Sequence, residues 1–118
     1  MNENSFDPSR LPAAIRRYLE TPRGPAVTPS AVAEIFTADA RVVDERTEYR
    51  GTDAIAGWFR TAGSEYTYTT TYLGQGSAAP EQWTVATRLE GNFPGGVADL
   101  EYRFRLDGDR IAELVIAP

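Results

Sequence analysis

The chain contains no histidine, no cysteine and no lysine; all twelve of its basic residues are arginine. These gaps remove much of the chemistry open to a small protein. Without His or Cys there is no Ser-His-Asp or Cys-His nucleophile system, no thiolate zinc site, no disulfide framework and no imidazole titrating near neutrality. Without Lys there is no Schiff base and no phosphate-binding P-loop lysine. A general base working near neutral pH must then be Asp or Glu, or water that they orient, with Tyr and Arg left as hydrogen-bond donors.

Long apolar runs are missing too. No stretch approaches the length of a membrane span, and the opening MNENSFDPSR lacks the basic and apolar regions of a secretory leader, so the expected location is the cytoplasm. A net charge of −5 and a pI near 4.7 argue against nucleic acid or an anionic membrane as the main partner, since both reward clustered cations. What remains is 118 residues with 42% hydrophobic and 25% charged composition, enough for one core and one domain spanning residues 1–118.

Periodicity places three helices before a sheet. In LPAAIRRYLE, Leu11, Ile15, Tyr18 and Leu19 share one helical face. After the Pro- and Gly-rich TPRGPAVTP, Thr28 followed by Pro29 signals the start of a second helix through Ile35 and Phe36. Past Gly51, Thr52 is placed to cap a third helix with Ile55, Trp58 and Phe59 on one face. Between the last two lies the strand ARVVD. Four more strands, EYTYTTTYLG, QWTVATRLE, VADLEYRFRL and RIAELVIA, are separated by QGSAAP, GNFPGG and DGD. In the third of these, Ala98, Leu100, Tyr102, Phe104 and Leu106 point one way and Asp99, Glu101, Arg103 and Arg105 the other. Helices first and antiparallel strands after make an α+β plan, with the helices on one side of a curved sheet and Ile15, Val42, Ile55, Phe59, Leu100, Phe104 and Leu114 buried.

RVVDERTEYRG ends a β-branched apolar strand on two acids, Asp44 and Glu45. Asp44 shares strand parity with Ala40 and Val42, which turns it toward the core, yet an Asp opening a turn is equally good local chemistry. Both readings of Asp44 stand at this level. Glu45, Glu48, Asp99 and Glu101 read as surface charge.

The segment IFTADARVVDERTEYRGTDAIAGWF and the closing YRFRLDGDRIAELVIA resemble the nuclear transport factor 2-like superfamily, the cone-shaped fold of ketosteroid isomerases and SnoaL-like polyketide cyclases. The resemblance covers nearly the whole chain. It implies three N-terminal helices packed on a curved, mostly antiparallel sheet. It also points to a homodimer, as do the Thr, Val and Ala on both faces of TYTTTYL and WTVATRL; the enzyme reading that follows needs no metal or cofactor. Set against ketosteroid isomerase, Asp44 matches the carboxylate that moves the proton and Tyr18 the tyrosine that stabilises the enolate oxygen. The third position, an acid in the isomerase, falls near Tyr102 here, so the donor set differs.

Three functional classes are consistent with these residues. One is an isomerase, cyclase or dehydratase in which Asp44 takes a proton next to a carbonyl of a small apolar ligand while Tyr18 or Tyr102 steadies the oxyanion. Another is a binding protein whose pocket is lined by Val42, Trp58, Phe59, Trp83, Leu100 and Phe104. The last is a dimerisation domain whose cone is filled by side chains. Tyr18 and Tyr102 are core residues first in every case, Tyr66, Tyr68 and Tyr72 add candidates for the aromatic lining, and GNFPGG is either a loop over the mouth of the cone or only a hairpin turn.

Overall fold

A computed structural model describes residues 4–21, 24, 26–62 and 67–118. The elements run β1 (Asn4–Ser5), a 3-10 turn (Pro8–Arg10), α1 (Ala13–Glu20), α2 (Pro29–Ile35), β2 (Phe36–Asp44), β3 (Thr47–Arg50), α3 (Thr52–Ala62), β4 (Tyr68–Ala79), β5 (Gln82–Gly91), β6 (Val97–Asp107) and β7 (Arg110–Ala117). Part of the linker before α2 (residues 22, 23 and 25) and the expected strand start at Glu65 and Tyr66 lie outside the described residues.

The strands form one seven-stranded sheet in the order β1-β4-β5-β6-β7-β2-β3. Every seam is antiparallel except β2–β7, which is parallel. Register shifts interrupt β2 between Phe36 and Arg41, β4 at two places and β6 between Arg105 and Leu106. An extra residue on one strand bends and twists it, so these irregularities curve the sheet around the helices.

The helices present the faces that their periodicity predicts. Ala14, Ile15 and Tyr18 of α1, Val32 and Ile35 of α2, and Ile55, Trp58 and Phe59 of α3 are buried against Val42, Val85, Tyr102, Phe104, Ile111 and Leu114 of the sheet. Each large apolar side chain enclosed in this way contributes on the order of 1.5–3 kcal/mol. Leu100 is only half-buried at the core's margin, while Phe104 is enclosed and Arg103 exposed, the alternation expected for β6.

Several boundaries differ from expectation. Leu11 is buried but precedes α1, because Pro12 stands at the N-cap. Phe36 begins β2 rather than ending α2. Thr28 does cap α2, accepting from the Ala31 N–H at 3.2 Å. Thr52 is the first residue of α3 rather than its cap; Gly51, at φ +88°, turns the chain and its carbonyl accepts the Ile55 N–H at 3.0 Å. β4 runs through most of QGSAAP to Ala79, held by pairing with β5. β3 was not anticipated. It returns on β2 through the two-residue turn Glu45–Arg46, with positive φ at both residues (51° and 64°), the mirror-image geometry that matches strand twist. GNFPGG is a closed hairpin turn: Gly91 N–H donates to Gly96 O and Gly96 N–H to Phe93 O, both at 3.0 Å.

Candidate ligand site in the cone

Asp44 is both things that its sequence context allowed. It immediately precedes the Glu45–Arg46 turn, and it belongs to the inward-facing set of β2 with the buried Ala40 and Val42. Its neighbours by register are Thr47 of β3 and Ile116 of β7, and Ile116 pairs in turn with Tyr102 of β6. Two strand spacings separate Asp44 from Tyr102, about 10 Å on a flat sheet and less between side chains on a concave one.

Its hydrogen-bond partner comes from α3: the Trp58 indole N–H donates to Asp44 Oδ2 at 3.0 Å. The indole then stacks parallel to the Tyr18 ring, with centroids 6.4 Å apart and 3° between planes, and lies 6.2 Å from Tyr49. Tyr18 is the hub of an aromatic cluster. Its edges meet Phe59 at 5.7 Å, Phe104 at 5.6 Å, Phe36 at 6.0 Å and Tyr102 at 6.2 Å. Edge-to-face contacts at these separations match the ring quadrupoles and lock orientation as well as burying area. Tyr18 thus touches both Tyr102 and Trp58, and Asp44 joins this cluster through the Trp58 indole.

The six residues expected to line a pocket separate into two groups. Val42, Trp58, Phe59 and Phe104 are shut within the core, whereas Leu100 and Trp83 keep accessible surface. Leu100 lies one row beyond Tyr102 in the direction of the Asp44 turn. Trp83 lies one row the other way, opposite Phe104, and its indole N–H donates to Pro80 O at 3.1 Å. Tyr68 and Tyr72 of β4 are half-buried, Tyr72 packing its ring 5.0 Å from Phe6. Tyr66 lies outside the described residues.

Three polar features were missed from sequence. Trp58 was legible as an apolar lining residue, but helical periodicity gives the face and not the atom that meets Asp44. The other two are the buried polar residues of the inner face, Gln75 and Thr87. Gln75 Oε1 accepts the Asp7 backbone N–H at 2.8 Å, tying the N-terminal segment to β4. Asp7 in turn accepts from Ser9, and the Ser9 hydroxyl and backbone N–H hold its carboxyl below the ordinary value.

Two open depressions lie elsewhere. One, about 410 Å³, is bounded by Ala33, Phe36, Thr37, Thr52, Asp107 and Arg110 at the α2–β2 junction. The other, about 280 Å³, is bounded mainly by outer-face residues such as Thr84, Arg103, Arg105 and Glu113. Neither includes Asp44, Tyr18 or Tyr102. The outer face carries paired charges: Arg88 with Asp99 at 2.7 Å, Arg103 with Glu101 at 2.6 Å and Arg41 with Glu113 at 2.6 Å. No described helix is long and apolar enough to cross a membrane.

No family model and no curated protein matches the chain. Solved structures do. A candidate polyketide cyclase from Sinorhizobium meliloti is 29% identical and superposes with a TM-score of 0.82 over 94% of this chain and 99% of its own. A protein with a ketosteroid isomerase-like fold from Catenulispora acidiphila, solved with trimethylamine, is 18% identical with a TM-score of 0.72 over 91% and 85% of the two chains. A Mycobacterium tuberculosis protein solved with estradiol-17β-hemisuccinate is 16% identical with a TM-score of 0.59 over 75% and 78%. With helices ahead of a curved sheet closed by one parallel seam, and with these neighbours, the chain has the nuclear transport factor 2-like fold of SnoaL-like and ketosteroid isomerase-like proteins.

Proposed function

We propose that this protein binds a small, largely apolar molecule in the cone and moves a proton next to its carbonyl, with Asp44 as the base. Asp44 takes a proton from the carbon beside the carbonyl, and the electron pair of that C–H bond forms the enolate double bond. The oxygen so charged is steadied by a Tyr18 or Tyr102 hydroxyl. Return of the proton to a different carbon completes an isomerisation; attack of the enolate carbon on a second carbonyl of the same molecule opens that C=O to an alkoxide, which takes the proton back from Asp44 and completes a cyclisation. Neither route calls on a metal or cofactor. The observation that carries this reading is the Trp58–Asp44 hydrogen bond, which fixes Oδ2 of the carboxylate beside an apolar, aromatic wall, and in this reading Oδ1 meets the substrate. Small ligands in two fold neighbours support it.

The test is a proton-exchange or isomerisation assay on small apolar ketones. Asp44→Asn should keep the fold and ligand affinity while losing a rate factor of about 10² or more, and Glu45→Gln should match wild type. Equal rates for all three proteins would remove Asp44 from the chemistry.

Burial of both phenols, Tyr18 at 0% and Tyr102 at 6% exposure, favours a second reading: a ligand-binding or dimerisation domain with no turnover. Ligand affinity without proton exchange would select binding, and absence of both would select dimerisation. Self-association belongs to either reading. On the outer face of β4 and β5, Thr84 and Ala86 pair with Gly76 and Gly74 near Leu73 at 46% exposure, bordered by the paired charges of β6, and we assign the homodimer contact there. Light scattering should return twice the chain mass, falling to one chain in Ala86→Arg; a monomer in wild type overturns the assignment.

A further inference from the structure

Thr87 of β5 is inward-facing with Val85 and pairs with Leu100 of β6 on one side and Tyr72 of β4 on the other. It is 0% exposed, and among the described residues its hydroxyl is the buried side-chain polar atom that lacks a hydrogen-bond partner. Valine has nearly the same shape and would carry no desolvation penalty there, so an unpaired hydroxyl at this depth is a cost that the fold alone does not require. Gln75, the other buried polar side chain on the inner face, is already committed through Oε1 to the Asp7 backbone. Along the sheet, Thr87 lies one row past the Asp44–Ile116–Tyr102 line, toward the end where β2 turns. Three strand spacings, about 14 Å when flat, separate β5 from β2, and curvature brings the inner side chains closer.

We propose that Thr87 is a second polar anchor of the cone, hydrogen-bonding a hydroxyl or carbonyl oxygen at the far end of an elongated, otherwise apolar ligand whose carbonyl sits at Asp44. This rests on the pocket reading above and names the kind of molecule the pocket takes: one with an oxygen at each end. A Thr hydroxyl both donates and accepts, so either oxygen type suits it, while Leu100 of β6 and Ile116 of β7 lie on the strands between Thr87 and Asp44, beneath the apolar body.

The experiment is a fluorescence titration of the full chain with 6-acetyl-2-naphthol and with 2-acetylnaphthalene, which lacks the hydroxyl. Wild type should prefer the naphthol by about 10-fold, Thr87→Ser should keep that preference, and Thr87→Val should abolish it without changing the affinity for 2-acetylnaphthalene. A preference that survives Thr87→Val, or equal affinities in wild type, overturns the anchor and leaves the pocket standing. Failure of both probes to bind wild type overturns the pocket and the anchor together. The ligand-free proteins supply an independent measurement: Thr87→Val should melt at or above the wild-type temperature. A lower melting temperature would show the hydroxyl satisfied within the fold and overturn the proposal.

Discussion

The Trp58 indole N–H holds Asp44 Oδ2 at 3.0 Å while the face of the same indole lies within 3° of parallel to the Tyr18 ring. One side chain of α3 thus sets the direction of a carboxylate on β2 and the seat of a phenol on α1. Trp58→Phe keeps most of the ring and deletes the donor. It should lower stability by about 1.5–3 kcal/mol, the range for a hydrogen bond to a charged acceptor, and should slow proton transfer about 10-fold by letting the carboxylate rotate. Asp44→Asn should cost less stability because its amide oxygen still accepts from the indole. Urea unfolding checks both, and coincident midpoints for Trp58→Phe and wild type would show the bond contributes nothing.

The Glu45–Arg46 turn places two ordinary residues at positive φ, where Cβ crowds the backbone. Replacing the pair with Asn-Gly should stabilise the protein by about 1 kcal/mol and raise the melting temperature by roughly 3–6 °C. Calorimetry reads this directly. An unchanged or lower melting temperature would mean that the two side chains earn their strained positions through contacts of their own.

Acid should weaken the fold in a defined window. The Arg88 hydrogen bond holds Asp99 below its ordinary value of 3.8, and the Arg41 hydrogen bond, followed by that from Arg50, holds Glu48 below 4.5. A carboxyl with a lowered folded-state pKa binds protons more readily when unfolded. Its contribution is therefore complete above the ordinary value and lost as pH falls through the folded one. Both groups are exposed, so the effect is small and fades with salt. Urea midpoints should stay level above about pH 5 and decline below it, less steeply in Asp99→Asn and in high salt. An acid limb of equal slope in Asp99→Asn would assign the decline to other carboxylates.

Gly91 closes β5 directly against the start of β4, and a Cβ there would collide with the Thr67 carbonyl oxygen and with Tyr68 Cβ and Cα. Since two of those atoms are backbone, the strands must separate to admit a methyl group. Gly91→Ala should cost about 2 kcal/mol or more, by denaturant titration, whereas the same change at Gly57, with open space around its Cα, should stabilise α3 slightly. Equal effects at the two glycines would contradict the close approach.

The elements that could be read from the chain are those with a clean period. Ile15 and Tyr18, Ile55 and Phe59, and the alternation from Ala98 to Leu106 each repeat a burial pattern that only one secondary structure satisfies. β3 was hidden because TEYR is short and its turn lacks the Asn-Gly signature; the tail of β4 was hidden because GQGSA is turn-like in composition and is held as strand by its partners. For the site, parity set Asp44 with Ala40 and Val42 but left its reading as a turn residue open. It could not supply Trp58 as donor or expose Thr87 as unpaired, since both depend on where α3 and β4 come to rest in three dimensions.

The parallel β2–β7 seam joins residues 72 positions apart, as in the Arg41–Glu113 ion pair, while β4 to β7 are joined by local hairpins. Closing so long a loop is entropically slower than zipping a meander, which gives the molecule a schedule. The sheet that forms the wall can assemble early, but the acid reaches that wall only when the two halves of the chain meet. The two tryptophans happen to fall on either side of this event, Trp83 within the meander and Trp58 against the acid. Stopped-flow fluorescence of the two single-Trp variants therefore times the wall and the acid separately. A lag at Trp58 would mean that a half-assembled cone passes through a moment with an apolar wall and no carboxylate, and equal rates would mean that it never does.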